Sequence, residues 1–194
     1  MRMYYYIIPF LVYILTIPLI NYNHGLIIRV VILSLFLLVF RKFYKFKLKF
    51  DMFSILAGII IFLLWILLEG LYPQLGTTSY VPENNISLFF RVFSFIIIAP
   101  IIEEFFTRNF LARILIKNDW QKVRLGAFTT TSFIFTAVFF GFSHNRWLPG
   151  LIAGAILNYI IYRKKDMGSV ILAHSTANIL LSVYIIYTKS WFLW

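Results

Sequence analysis

A few polar residues set inside apolar runs are where this chain could do chemistry. Glu103 and Glu104 are adjacent, Arg108 follows, His144 closes a later apolar stretch, and His174 and Asn178 stand at i,i+4 in the last one. Ionisable groups at bilayer depth cost roughly 2.5–3.5 kcal/mol each even on lenient insertion scales, so they are seldom incidental. On a helix, Glu104 and Arg108 share a face and can pair. Glu103 then points about 100° away, towards other helices. A carboxylate with two imidazoles and an amide can deprotonate a water and steady the tetrahedral intermediate. Glu103, His144 and His174 also form a plausible zinc set, with Asn178 an unusual ligand. The chain has no cysteine, which removes thiol nucleophiles, and no serine sits in a strained-turn context.

Each of these residues also has a structural reading. The charges could tie helices together. His144, with Phe140 at i−4 able to cover its ring, could be interfacial, as could Arg146 and Trp147. His174 and Asn178 could bond between helices. Yet two acids beside one base leave an excess carboxylate that structure alone does not require. That excess falls on Glu103.

The elements that must position these groups are membrane helices. Of 194 residues, 61% are hydrophobic, 20% aromatic and only 13% charged. A soluble domain averages nearer half apolar and a quarter charged. The expected fold is all-α: one polytopic transmembrane helix bundle spanning 1–194, with no linker and no repeat. Apolar run length places about seven spans, near 4–20, 26–40, 52–70, 87–113, 126–144, 147–162 and 168–187. The first resembles a signal h-region but lacks a small-residue cleavage site, which predicts a retained helix.

The net charge of +11 does not point to nucleic acid, because the basic residues lie in short clusters between apolar runs. Arg41, Lys42, Lys45, Lys47 and Lys49 form one cluster; Arg113, Lys117, Lys122 and Arg124 a second; Arg163, Lys164 and Lys165 a third. With seven spans these clusters and Arg2 share one side, leaving Arg29, Arg91, Arg146 and Lys189 on the other. The positive-inside rule then puts the N-terminus in the cytoplasm of a multi-pass cell-membrane protein. The stretch Arg41 to Phe50 reads as a juxtamembrane anchor in anionic lipid. Glu83 and His24 read as solvated loop residues. Gly150 and Gly154 read as a close helix approach, and Thr129 to Ser132 and Asn158 as interhelical hydrogen bonders.

The polar residues in this order resemble the CPBP family of intramembrane proteases, which includes the type II CAAX prenyl endopeptidases and bacterial relatives linked to bacteriocin immunity. Its three motifs, EExxxR, FxxxH and HxxxN, read here as Glu103-Glu104-x-x-x-Arg108, Phe140-x-x-x-His144 and His174-x-x-x-Asn178, within residues 88–182. The stretches around His144 to Trp147 and Trp191 to Trp194 also look like the bacterial CAAX prenyl protease-related subgroup, some of which accompany exosortase-type sorting. The resemblance implies an intramembrane endopeptidase acting on a membrane-associated peptide or protein. Glu103 would be the general base on water, assisted by His144. His174 and Asn178 would hold the oxyanion, with Glu104 and Arg108 positioning the site. The family has been described both as metal-dependent and as glutamate-type, so a divalent ion such as zinc on Glu103, His144 and His174 stays open.

Two other classes compete. One is a non-catalytic immunity or protein-sorting accessory factor whose polar cluster only binds. The other is an ion-coupled transporter, for which the polar groups are too confined to one place. The geometry also sets a problem. With straight helices, Glu103 falls near mid-membrane, His144 near the outer end, and His174 about 9 Å from the inner end. The three can meet only if helices tilt, kink at Pro100, or begin within the bilayer.

Overall fold

A chain this apolar must satisfy its backbone internally, and helices do so within one segment. The computed structural model of the protein describes residues 3–77 and 79–194, and contains no strand among them. Arg2, counted above with the inner cations, lies outside the described residues. The long helices are α1 (Tyr4–Leu15), α2 (Asn23–Val39), α3 (Met52–Leu67), α4 (Asn85–Ile114), α5 (Thr130–Phe142), α6 (Trp147–Lys164) and α7 (Met167–Thr188). Each apolar run expected to span therefore forms a helix, and together they make a bundle.

Their lengths differ more than run length suggests. By length and composition, α4 and α7 are long and apolar enough to cross a membrane, while α1, α2, α3 and α5 are shorter apolar helices. The run 4–20 divides at Thr16, because Pro18 opens a separate 3-10 turn over Ile17–Asn21. The run 126–144 yields a helix of 13 residues, about 20 Å long. Thr129 starts α5 by accepting from the Ser132 amide, and α5 ends at Phe142, so His144 lies in the connection beyond it.

Small residues set how closely helices approach. At Gly150 a Cβ would lie 3.2 Å from Gly141 Cα, and at Gly154 it would lie 3.0 Å from Ala137 O, so α5 and α6 touch backbone to backbone as expected. Gly58 lets α3 lie on Ala173 and Thr176 of α7 in the same way.

The three basic clusters gather at one end of the bundle. Lys164 pairs with Asp51 at 2.9 Å, Gly168 packs on the Lys47 carbonyl, and Gly126 packs on Ile161 and Lys165. Asp51 lies outside the helices. Burial pushes its carboxyl up, but hydrogen bonds from Ser54 and Lys164 outweigh that and hold it below the usual carboxylate range. The opposite end is tied by Arg146 to Glu69 at 2.7 and 3.0 Å, by Trp147 Nε1 donating to Pro73 O, and by Leu75 N–H donating to Asn145 O.

Candidate active site

The site is built on α4, and α4 is irregular where it matters. It contains two π turns, Ser94–Ile98 and Phe105–Leu111, either side of the Glu pair. Single π turns in otherwise α-helical segments are frequent at functional positions. In the first, the Ala99 N–H reaches back to Ser94 O, so it no longer serves Phe95. Pro100 comes next and has no N–H to give Ile96. Two carbonyls are thus left without their helical donors. Both are taken by α7: Asn178 Nδ2 donates to Phe95 O at 2.7 Å and Ser175 Oγ to Ile96 O at 2.9 Å. Pro100 therefore docks the helix carrying His174 onto the helix carrying Glu103.

Glu104 and Arg108 pair as their spacing predicts. Arg108 Nη1 lies 3.2 Å from Glu104 Oε2, and the two side chains are fully buried. Arg108 also donates from Nε to Asn158 Oδ1 at 3.2 Å, from Nη1 to Thr107 Oγ1 at 2.7 Å and from Nη2 to Gly154 O at 3.1 Å. Asn158 is held in turn by donating to Phe133 O and Thr136 Oγ1. This guanidinium thereby joins α4 to α6 and, through Asn158, to α5, with every edge of its planar fork engaged. Glu104 Oε1 is 2.7 Å from His174 Nδ1. Since Glu104 is the acceptor for Arg108, the shared proton sits on Nδ1, which turns Nε2 towards Glu103. His174 Nε2 and Glu103 Oε2 are 4.0 Å apart. Glu103 Oε2 is buried and has no hydrogen-bond partner.

His144 is oriented by its own helix end. Its Nδ1 lies 2.7 Å from Phe140 O. A carbonyl only accepts, so Nδ1 carries the proton and Nε2 is the free nitrogen. The Phe140 ring is the shared floor of the site, at 4.8 Å from the His144 ring, 5.6 Å from the His174 ring and 4.5 Å from the Arg108 guanidinium carbon. Phe140 thus covers the His144 imidazole as the i−4 spacing suggests.

A cavity of about 440 Å³ collects the motif residues Glu103, His144, His174 and Asn178 on its wall. Glu104 and Arg108 are not on that wall; they stand behind it. The cavity resolves the problem of depth. Although His144 lies just past α5, beside the Asn145 and Arg146 that tie the outer end, its ring folds back over Phe140 one helical turn earlier and faces the cavity. The wall also includes Asn21, Ser79, Tyr80, Asn145 and Arg146, so the cavity extends towards the end of the bundle away from the basic clusters.

Residues 85–180 match the family described as Rce1-like, type II CAAX prenyl endopeptidase Rce1-like. This chain belongs to that family. The Rce1-like proteins are membrane-embedded proteases, and the matched segment runs from the start of α4 into α7, across every motif residue named above. No curated protein and no solved structure gives a match.

Metal chemistry can be tested on the donor set of this Rce1-like chain. Among the described residues no three His, Asp or Glu side chains stand together as metal ligands. Glu103, His144 and His174 share a cavity wall, but a zinc ion needs donors at about 2.0–2.2 Å in a tetrahedron. The bond from His174 Nδ1 to Glu104 leaves Nε2 free as a donor, but the side chains as arranged form no preformed cluster of ligands among the described residues.

Several contributors are missed by motif reading. Ser175 anchors Ile96, and Asn158 holds Arg108, which gives the expected packing residue a more specific task. Tyr13 of α1 stands beside Glu103. Arg29 and Arg91, counted above as scattered outer cations, are buried on the cavity wall. The signal for the arginines was present: both stand within apolar runs, as the Glu pair does.

Proposed function

We propose that the protein is an integral-membrane endopeptidase that hydrolyses a peptide bond of a membrane-associated peptide or protein. The observation that carries this reading is Glu103: a buried carboxylate oxygen without a partner, facing His174 Nε2 at 4.0 Å inside a cavity shared with His144 and Asn178. A water held between Glu103 and the free Nε2 of His144 gives its proton to the carboxylate while its oxygen attacks the scissile carbonyl carbon. The resulting oxyanion is met by the second N–H of the Asn178 amide, the first being bound to Phe95 O, and by His174 Nε2 in the form of the ring that carries a proton on both nitrogens. The tetrahedral intermediate collapses with cleavage of the C–N bond, and the proton taken from water passes from Glu103 to the leaving amine. Glu104 and Arg108 hold the His174 ring and do not touch substrate.

In this reading the chain is a multi-pass protein of the cell membrane with its N-terminus in the cytoplasm. The basic end of the bundle then faces the cytoplasm, and the cavity mouth faces outward. Membership of a CAAX-type family favours substrates cut near a lipid-anchored end, and the apolar wall suits an apolar peptide.

Co-expression of the protein, or of Glu103→Ala, with tagged membrane-associated candidates tests the reading. Cleavage that persists with Glu103→Ala at normal abundance would sink it. An accessory factor that only binds would keep its phenotype with Glu103→Gln, whereas the endopeptidase loses it.

A further inference from the structure

Arg29 and Arg91 are the cavity's unexplained charges. Arg29 is 2% exposed, and it donates only to neutral acceptors: Thr16 Oγ1 at 3.2 Å, Tyr13 O at 3.0 Å and Ser94 Oγ at 3.4 Å. Arg91 is 8% exposed, and its buried Nε has no hydrogen-bond partner. Its guanidinium carbon lies among the rings of Trp194, Tyr80 and Phe95, at 5.0, 5.8 and 5.9 Å. Ion pairs among the described residues engage Arg108, Lys122, Arg146, Lys164 and His174, and neither of these two. Both line the cavity that holds Glu103, and they are near enough to act on each other electrostatically. Two like charges buried near each other, neither in an ion pair with Glu103 or with any other carboxylate among the described residues, are unfavourable and favour an incoming anion.

We infer that Arg29 and Arg91 form a subsite for a carboxylate of the peptide substrate. The inference rests on the endopeptidase reading for the identity of its ligand. Arg91 and Glu103 lie on the same helix, about 18 Å apart along its axis at 1.5 Å per residue. An extended peptide of about five residues covers that distance at roughly 3.3–3.6 Å each. A carboxylate held by Arg91 and Arg29 would therefore place a peptide bond a few residues upstream against Glu103. Arg91 lines the cavity among three aromatic rings, which favours an acidic group attached to an apolar chain. The planar guanidinium presents paired donors matched to a carboxylate.

Binding tests this apart from catalysis. The Glu103→Gln protein in nanodiscs of neutral lipid is titrated with an acetylated apolar pentapeptide, as the free acid and as the C-terminal amide, and followed by tryptophan fluorescence. The free acid should bind about ten-fold tighter or better. Arg91→Gln should reduce that preference to less than about two-fold, and Arg91→Lys should restore part of it. Equal affinity for acid and amide with Arg91 intact, or no binding of either, overturns the subsite, whether or not Arg91→Gln folds. Competition by inorganic phosphate as strong as that of the free acid overturns the peptide assignment. Loss of the endopeptidase reading shows separately, as cleavage insensitive to Glu103.

Discussion

Glu104 Oε1 and His174 Nδ1 meet at 2.7 Å, which leaves the other ring nitrogen facing Glu103 at 4.0 Å. Neighbours in sequence thus take opposite roles around one imidazole. Glu104 is fully buried, paired with Arg108 and absent from the cavity wall, whereas Glu103 reaches the cavity with an oxygen to spare.

The first expectation follows from that division. Glu103→Gln should lower the cleavage rate by about 10²–10⁴-fold, with the melting temperature in detergent little changed. Glu104→Gln should lower both, because it leaves Arg108 buried without its charge partner. Cleavage assays paired with thermal melts separate the two. Equal melting behaviour of the two variants would refute the assigned roles.

Arg108→Lys should unfold the protein at markedly lower temperature despite keeping the charge. A lysine cannot reproduce the fork that serves Glu104, Thr107, Asn158 and Gly154 together. Arg108→Ala, which strands the buried Glu104, should lose roughly 3–5 kcal/mol. Chemical or thermal unfolding measures this directly.

Pro100→Ala restores an N–H that competes with Ser175 for Ile96 O. The α4 helix can then close its own bond and loosen its hold on α7. The expected result is a fall in kcat with KM nearly unchanged, because His174 and Asn178 move relative to Glu103. Ser175→Ala should act in the same direction but more weakly, by about 1 kcal/mol or less, the worth of one neutral hydrogen bond. Steady-state kinetics of both variants provide the test.

The absence of cysteine gives a clean topological probe. Ser79 is exposed and lines the cavity, while Lys117 is exposed at the basic end. A membrane-impermeant maleimide applied to intact cells should label Ser79→Cys and spare Lys117→Cys. Inverted vesicles should give the reverse. Labelling of Lys117→Cys in intact cells would reverse the orientation.

The tie between Asp51 and Lys164 should be sensitive to acid. A carboxyl whose folded value is lowered contributes stability above its unfolded pKa of about 3.9. That contribution disappears as pH falls through the lower folded value. The melting temperature should therefore drop below about pH 4 in the wild type. Asp51→Asn should begin lower by a few degrees at neutral pH, about 2–4 °C for 1 kcal/mol, and lack that component of the acid drop.

Much of this was legible in the sequence because the membrane makes polar residues conspicuous. The pairing of Glu104 with Arg108, the surplus of Glu103, the cover of His144 by Phe140 and the close approach at Gly150 and Gly154 all follow from helical spacing. Depth did not, because run length counts apolar residues without saying where a helix stops. Residues 126–129 extend the apolar run but lie outside α5, and the His144 ring folds back over Phe140, neither of which run length reveals. Pro100 was visible as a kink. Its consequence was not, because the acceptors it frees are met by Ser175 and Asn178, more than seventy residues later.

Those two freed carbonyls also bear on how the protein is made. A chain enters the membrane from its N-terminus, so α4 is in place before α7 is synthesised. Until then Phe95 O and Ile96 O have no donors and Glu104 lacks its histidine. The helix that bears Glu103 is thus incomplete until α7 arrives. In the endopeptidase reading, the groups proposed to act on the peptide bond come together only when α7 has joined α4.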